Sequence, residues 1–337
     1  MNPASRSTPH LFTVDVEEYF QVNAFEGFVS RQSWDELPSR VERSVVRLLE
    51  LLERHDAKGT FFTLGWIADR HPHVVRAIAD AGHEIASHGW WHQRVVTLTR
   101  EQFREEVRGS KRLLEDVVGA PVLGYRAPSF SILPRVDWAY DVLLEEGYRY
   151  DSSVFPIRRR DYGNPQAPPH AHVVERSAGA ILELPMATTR IGGVRVPGAG
   201  GAYLRMLPFW ITTRTLRESS SRGESAVLYV HPWEIDPDQP RLEVRLSARL
   251  RHYSRLDRTL PRLERLLEEF RFMTIADRYA EELAAQRARS AAPSLSGGVE
   301  GGPGAGPTAG EAIAPRGHRA GARRSPGSTD RRVSGTE

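Results

Sequence analysis

Cysteine is absent from the 337 residues, and lysine occurs only at Lys58 and Lys111. Without thiols, disulfides and thiolate metal ligands are both excluded, so any bound metal must be held by His, Asp and Glu. Long apolar runs are missing too: nothing approaches the roughly 18–20 residues that a membrane helix needs. The first ten residues, Met1 to His10, are polar and carry no apolar core. That pattern predicts no cleaved secretory leader and a cytoplasmic location. The patterns G-x-x-x-x-G-K-[ST], H-E-x-x-H and G-x-S-x-G are also absent, which disfavours phosphate-loop, zinc-protease and α/β-hydrolase chemistry.

What is present is enough apolar material for a sizeable core, 40% of residues, and a pI of about 9.3. The basicity is local. Residues 286–337 hold 8 Arg against 4 acids, a net of +4, whereas the whole chain carries +3, so the part before Gln286 sits near −1. A near-neutral main domain argues against nucleic acid as the principal partner. The segment from Gln286 is rich in Gly, Pro, Ala and Ser and has no hydrophobic periodicity, which predicts a disordered tail. The expected division is a catalytic domain over 8–285 and this tail over 286–337.

The main domain alternates strand and helix signals. His10 to Val16, Gly59 to Leu64, Glu84 to His88, the stretch from Pro121, Tyr148 to Ser152, Ile181 to Leu184 and Ala226 to His231 read as strands. Val41, Val45, Leu48, Leu49 and Leu52 recur at helical spacing, with Ser39 placed to cap the helix. Thr99 and Gln102 form a capping box before a helix to about Val118. Further helices are expected at Pro72–Ala81, Pro134–Glu146, Leu256–Phe270 and Ile275–Ala284. Such alternation predicts an α/β fold with a parallel sheet or barrel. Asp15, His88, Arg126, Asp151 and His231 all fall at the C-terminal ends of predicted strands, where parallel β/α folds carry their chemistry.

These residues come in recognisable groups. S-H-G-W-W-H puts His88 and His92 at i and i+4, a spacing that lets two imidazoles grip one metal from a helical turn. D-V-E-E sends Asp15 and Glu17 to one side of a strand and Val16 to the other. G-Y-R-A-P offers Arg126, able to orient a neighbouring carboxylate. Y-D-S-S offers Asp151, and V-H-P-W-E offers His231, a proton donor suited to neutral pH. A carboxylate beside His231 would keep it protonated, and Asp151 is the candidate for that place. Trp91, Tyr125 and Trp233 are aromatic side chains beside these groups, candidates for stacking on a ring-shaped ligand. The run at Arg158–Arg160 reads as a solvated loop or a contact for an anionic substrate.

The joint order D-x-E-E, S-H-x-x-x-H, R-A-P, D-S-S, H-P-W-E resembles the polysaccharide deacetylase (NodB-homology, carbohydrate esterase 4-like) family over roughly residues 8–285. It looks closest to the branch found in exosortase-linked exopolysaccharide clusters. The resemblance implies a distorted, incomplete (β/α) barrel and metal-assisted removal of N-acetyl groups from amino sugars of a polysaccharide or its lipid-linked precursor. It implies a divalent metal, zinc foremost with cobalt or manganese as alternatives. It also implies an N-acetylated glycan as partner and peripheral association with membrane-linked glycan machinery. It casts Asp15 as base, Arg126 as the group that holds it, and His231 as general acid. His88 and His92 would be metal ligands. Most members carry two adjacent aspartates in the first motif, the second a ligand. Here position 16 is valine, so Glu17 is the expected substitute and Glu18 the fallback. Two other readings fit less of the pattern: an allantoinase-like opening of a cyclic amide, and a catalytically silent glycan-binding protein.

Overall fold

A computed structural model describes residues 8–159 and 162–284. The tail expected from 286 onward, and Arg160, lie outside the described residues. Among the described residues there are eleven strands: β1 (His10–Val16), β2 (Thr60–Thr63), β3 (Glu84–Ser87), β4 (Gly124–Tyr125), β5 (Tyr150–Asp151), β6 (His172–Arg176), β7 (Gly179–Glu183), β8 (Thr188–Ile191), β9 (Val194–Pro197), β10 (Val227–Val230) and β11 (Phe272–Met273). Ten α-helices accompany them among the described residues: α1 (Val41–Arg54), α2 (Gly65–Arg70), α3 (Pro72–Asp80), α4 (Arg100–Val118), α5 (Ala139–Glu145), α6 (Gly201–Met206), α7 (Phe209–Ser221), α8 (Leu246–Tyr253), α9 (Thr259–Glu269) and α10 (Ile275–Arg278).

The main sheet runs β10-β1-β2-β3-β4-β5-β7-β6, with β11 also on β1. All its pairings are parallel except β6 on β7. Past the end of β7, Met186 makes a parallel bridge to Val227 of β10. The two margins of the sheet therefore meet at one point, and the sheet closes as a distorted, incomplete barrel. The antiparallel hairpin β8–β9 stands apart from it.

The central strands β1 to β5 and β10 are short and buried on both faces, as barrel strands with outer helices must be. β1 has no exposed residue over its seven positions. Helix α1 turns Val41, Val45, Leu48 and Leu52 inward, as the spacing predicts. Its N-cap is Arg40 rather than Ser39. Ser39 donates its hydroxyl to Glu18 at 2.5 Å, and the Glu18 carboxylate accepts the N–H groups of Arg40 and Val41 at 3.0–3.1 Å. A buried acid from another element thus serves the helix end, where an anion is favoured. The capping box of Thr99 and Gln102 is formed.

Several expectations fall short. The strand from Pro121 is reduced to Gly124–Tyr125. Leu256–Phe270 divides into a short 3-10 turn and α9. The elements β6, β8, β9, α6, α7 and α8 carry no strong periodicity, because they are short or only half buried.

Gly124 shows how tightly the barrel is packed. A Cβ there would sit inside the ring of Tyr150, whose hydroxyl donates to Glu84 at 2.7 Å across two strands. We expect Gly124→Ala to destabilise the fold by about 1–3 kcal/mol. The check is a chemical denaturation curve, and an unchanged midpoint would refute the packing argument.

Candidate active site

The C-terminal ends of β1, β3, β4 and β10 open into one cavity of about 380 Å³. Asp15, Glu17, His88, His92, His231 and Trp233 all line it. Val16 turns away into the core, as the alternation predicts. Three of the non-glycine residues with left-handed backbone, His92 (φ 52°), Ser129 (φ 54°) and Phe130 (φ 53°), also line this cavity. Unfavourable backbone of this kind persists only where the surroundings enforce it.

Arg126 is fully buried behind Asp15. Its Nη1 donates to Asp15 Oδ1 at 2.7 Å and to Thr13 Oγ1 at 2.8 Å. Its Nε and Nη2 donate to the carbonyl and hydroxyl of Ser152 at 3.0 and 2.9 Å. The guanidinium lies 4.1 Å from the centre of the Phe62 ring. The other oxygen of Asp15, Oδ2, stands 3.8 Å from His231 Nε2.

His88 and His92 follow β3 in an irregular loop, not the helical turn expected. Gly89 at φ 77° and His92 at φ 52° bend the loop so that the two rings come to 5.3 Å. Glu17, His88 and His92 each present one donor atom, all within 4.8 Å of one another. His88 Nδ1 pairs with the Arg126 carbonyl at 2.8 Å, which leaves Nε2 for the cavity. Glu17 Oε1 accepts the indole N–H of Trp233 at 3.0 Å. Glu17 Oε2 is buried, has no hydrogen-bond partner, and lies 2.7 Å from His92 Nε2. Burial would raise the Glu17 pKa, but His92 and His231 outweigh it and hold the carboxyl well below its usual range. Burial pushes His88 down to about 4, so it is neutral at physiological pH. An ionised carboxylate whose Oε2 meets no group but the His92 ring, beside two imidazoles of which His88 is neutral, is a donor set that fits a divalent cation. Glu18 is spent on the end of α1 and is not part of this set.

His231 is braced by Glu234. Its Nδ1 lies 3.0 Å from Glu234 Oε2, and Arg205 Nε donates to the other Glu234 oxygen at 3.0 Å. The imidazole stacks on Trp233, with centroids 5.0 Å apart. Burial disfavours the charged ring, yet Glu17, then Glu234 and Asp15, push His231 up to about 9. Nε2 thus faces the cavity carrying a proton.

The structure places Asp151 elsewhere. It accepts the hydroxyl of Ser153 at 2.7 Å, and Ser153 Oγ accepts the backbone N–H of Ala127 at 2.7 Å. Asp151 therefore props the Arg126 turn, and Glu234 holds the position beside His231 that was expected for it. Tyr125 is also relocated: it is core, edge-on to Phe103 and Tyr148. Trp91 sits half-buried in a side cavity of about 50 Å³ next to His92. Only Trp233 of the three expected stacking residues faces the main cavity. Phe130, Tyr162, Tyr203 and Tyr229 form the rest of its aromatic lining. Gly200, within the G-A-G-G stretch, lets the backbone pass directly over Tyr229 at φ 106°. Sequence reasoning missed Thr13, Ser152, Arg205 and Glu234. Glu234 had a signal, its i+3 spacing from His231 on a turn begun by Pro232.

Residues 28–149 match the family described as Polysaccharide deacetylase, and 152–280 match a Domain of unknown function (DUF3473). The chain is similar to the peptidoglycan deacetylase of Helicobacter pylori (27% identity, 40% of this chain and 47% of that one). It is also similar to a peptidoglycan-N-acetylglucosamine deacetylase of Bacillus cereus (30% identity, 28% of this chain and 34% of that one). The chain thus spans between a third and about half of these relatives. Among solved structures, one from Mycobacterium smegmatis described as a polysaccharide deacetylase aligns with TM-score 0.54 and 22% identity, over 87% of this chain and 94% of that one. Puue allantoinase aligns with TM-score 0.56 and 18% identity, over 83% and 92%. At these identities the structural likeness establishes the fold.

Replacing Glu234 by Gln removes an anion from His231 and should lower its pKa below about 9, whereas Asp151→Asn should leave it unmoved. An NMR titration of the His231 ring reads both. A shift in the Asp151 variant with none in the Glu234 variant would reverse the assignment.

Proposed function

We infer that this chain is a member of the polysaccharide deacetylase family and a hydrolase that removes N-acetyl groups from amino sugars of a glycan. The observation that carries the reading is the meeting of three devices in one cavity: the Glu17–His88–His92 donor set, Asp15 fixed by Arg126, and His231 held protonated by its carboxylate neighbours. The domain we propose spans residues 8–285. The finer reading, hydrolysis of a polysaccharide or its lipid-linked precursor during exopolysaccharide synthesis, rests on the motif order.

Glu17, His88 and His92 would hold a divalent cation, with zinc our first choice for a His₂-carboxylate set. When bound, the ion supplies Lewis-acid charge at the acyl carbonyl and makes the attacking water more acidic. Asp15 Oδ2 is free to take the water proton, because Oδ1 is occupied by Arg126. Arg126 also fixes the direction of that oxygen, so the base does not rotate away as the proton moves. His231 Nε2, 3.8 Å from Asp15 Oδ2, then passes its proton to the departing sugar nitrogen. That transfer turns a poor amide leaving group into a neutral amine. Burial of Asp15 and Glu17 excludes bulk water and strengthens each charge interaction. A cavity of about 380 Å³ with aromatic walls suits one or two sugar rings.

Purified protein should contain about one equivalent of divalent metal, measured by elemental analysis, and should release acetate from N-acetylglucosamine oligomers. His88→Ala should lose the metal. Asp15→Asn should keep the metal and lose roughly 10²–10⁴-fold in kcat. Metal-free wild type together with an unaltered rate in Asp15→Asn would end this reading.

A further inference from the structure

We propose that helix α8, together with Phe28, is a docking surface for an anionic lipid bilayer, presenting the cavity mouth to the headgroups. Among the described residues few large hydrophobic side chains are exposed, and four of them lie in or next to chain segments that line the cavity. Leu246 is 69% exposed, Leu250 57%, Phe28 46% and Met206 40%. Leu246 and Leu250 stand at i and i+4, one above the other on the same helix face. The same helix turns His252 and Tyr253 inward, where Phe25 packs on His252 with centroids 4.6 Å apart. Phe28 follows that turn by three residues. Residues 22–26 and 251–252 both contribute to the cavity wall. The exposed leucines are therefore attached to the lip of the active site.

The charge around them is one-sided. Residues 241–258 carry Arg at 241, 245, 249, 251, 255 and 258, against Glu243 and Asp257 alone. Among the described residues none of these six arginines forms an ion pair. Elsewhere on the surface arginines are paired repeatedly, as Arg104, Arg108 and Arg176 are. Arg245 lies 5.6 Å over the Phe28 ring, so cation and apolar group share one patch. Exposed leucines flanked by unpaired guanidiniums suit the boundary between headgroups and acyl chains, where stems lie along apolar surface and charges meet lipid phosphate. Among the described residues no helix is long and apolar enough to cross a membrane, so this contact would be peripheral. The proposal deepens the lipid-linked part of the functional reading.

Cosedimentation of the full chain with vesicles tests it. Phosphatidylcholine vesicles are compared with vesicles in which about a third of the lipid is phosphatidylglycerol. Wild type should partition onto the anionic vesicles at least about tenfold better, and less so as salt rises. Leu246→Asp/Leu250→Asp should abolish binding. Arg245→Glu/Arg249→Glu should weaken it by about 25-fold or more, at about fivefold per charge lost. Both variants should hydrolyse a soluble N-acetylglucosamine oligomer at the wild-type rate, which shows they are folded. No vesicle binding, equal binding to both lipids, or binding untouched by the variants would overturn the proposal. So would self-association lost in the leucine variant without any lipid binding. Failure of the soluble hydrolysis in wild type would overturn the deacetylase reading and leave the docking result standing.

Discussion

A guanidinium with no solvent contact has to be satisfied by its surroundings, and the site is organised around how Arg126 meets that demand. Its charge is met by Asp15, its remaining donors by Thr13 and Ser152, and its face by Phe62. Those partners themselves reach further. Thr13 donates to the carbonyl of Leu228 in β10, and Ser152 to that of Leu184 beyond β7. One side chain thus ties β1, β4, β5, β10 and the exit of β7 at the end where the barrel is least complete. Removing either charge of a buried pair costs about 3–5 kcal/mol, because the survivor is stranded without water. The same bond that stabilises the barrel mouth leaves one oxygen of Asp15 free and aimed, so fold and chemistry share a single constraint.

The division of the chain into two matched families does not follow the chemistry. Asp15 and Glu17 lie before both matched segments. His88, His92 and Arg126 lie in the first, while His231, Glu234 and Arg205 lie in the second. The second segment also contributes β7 and β10, whose contact through Met186 and Val227 closes the sheet. The segment without an assigned function therefore completes both the barrel and the cavity, supplying the proton-bearing histidine and its brace. Neither segment alone holds the proposed base, donor set and acid.

Much of this was legible in the residues because strand ends are legible. An apolar run that stops at a charged residue marks both an element boundary and a group needing a partner, and Asp15, His88, Arg126 and His231 were found that way. Partners across the barrel were less accessible. Asp151 and Glu234 are both carboxylates near a strand end, and only the curvature of the sheet decides which meets His231. Asp151 lies on β5, four strands from β1, and its oxygen is taken up by Ser153. Glu234 lies on the same turn as the histidine it serves. Tyr125 failed for a related reason: alternation on a two-residue strand points it inward, where Phe103 and Tyr148 close over it.

Valine at position 16 is the departure that asks most of the rest of the structure. Adjacent residues on a strand face opposite ways, so an acid at 16 and one at 15 could not both turn into the cavity without a bend. Here Val16 stays in the core and β1 remains regular to its end. The acidic donor passes to Glu17, one residue beyond the strand, with a side chain one methylene longer than aspartate. A longer arm past a strand end has more freedom, and something must fix it. Trp233 does so, donating its indole N–H to Glu17 Oε1 while its ring face stacks on His231. His252 closes the far side of that indole at 4.0 Å. The tryptophan of H-P-W-E therefore couples the proposed metal ligand to the proposed acid. Glu17 and Trp233 are thus held to one another by a single buried hydrogen bond, and the position of each depends on the other.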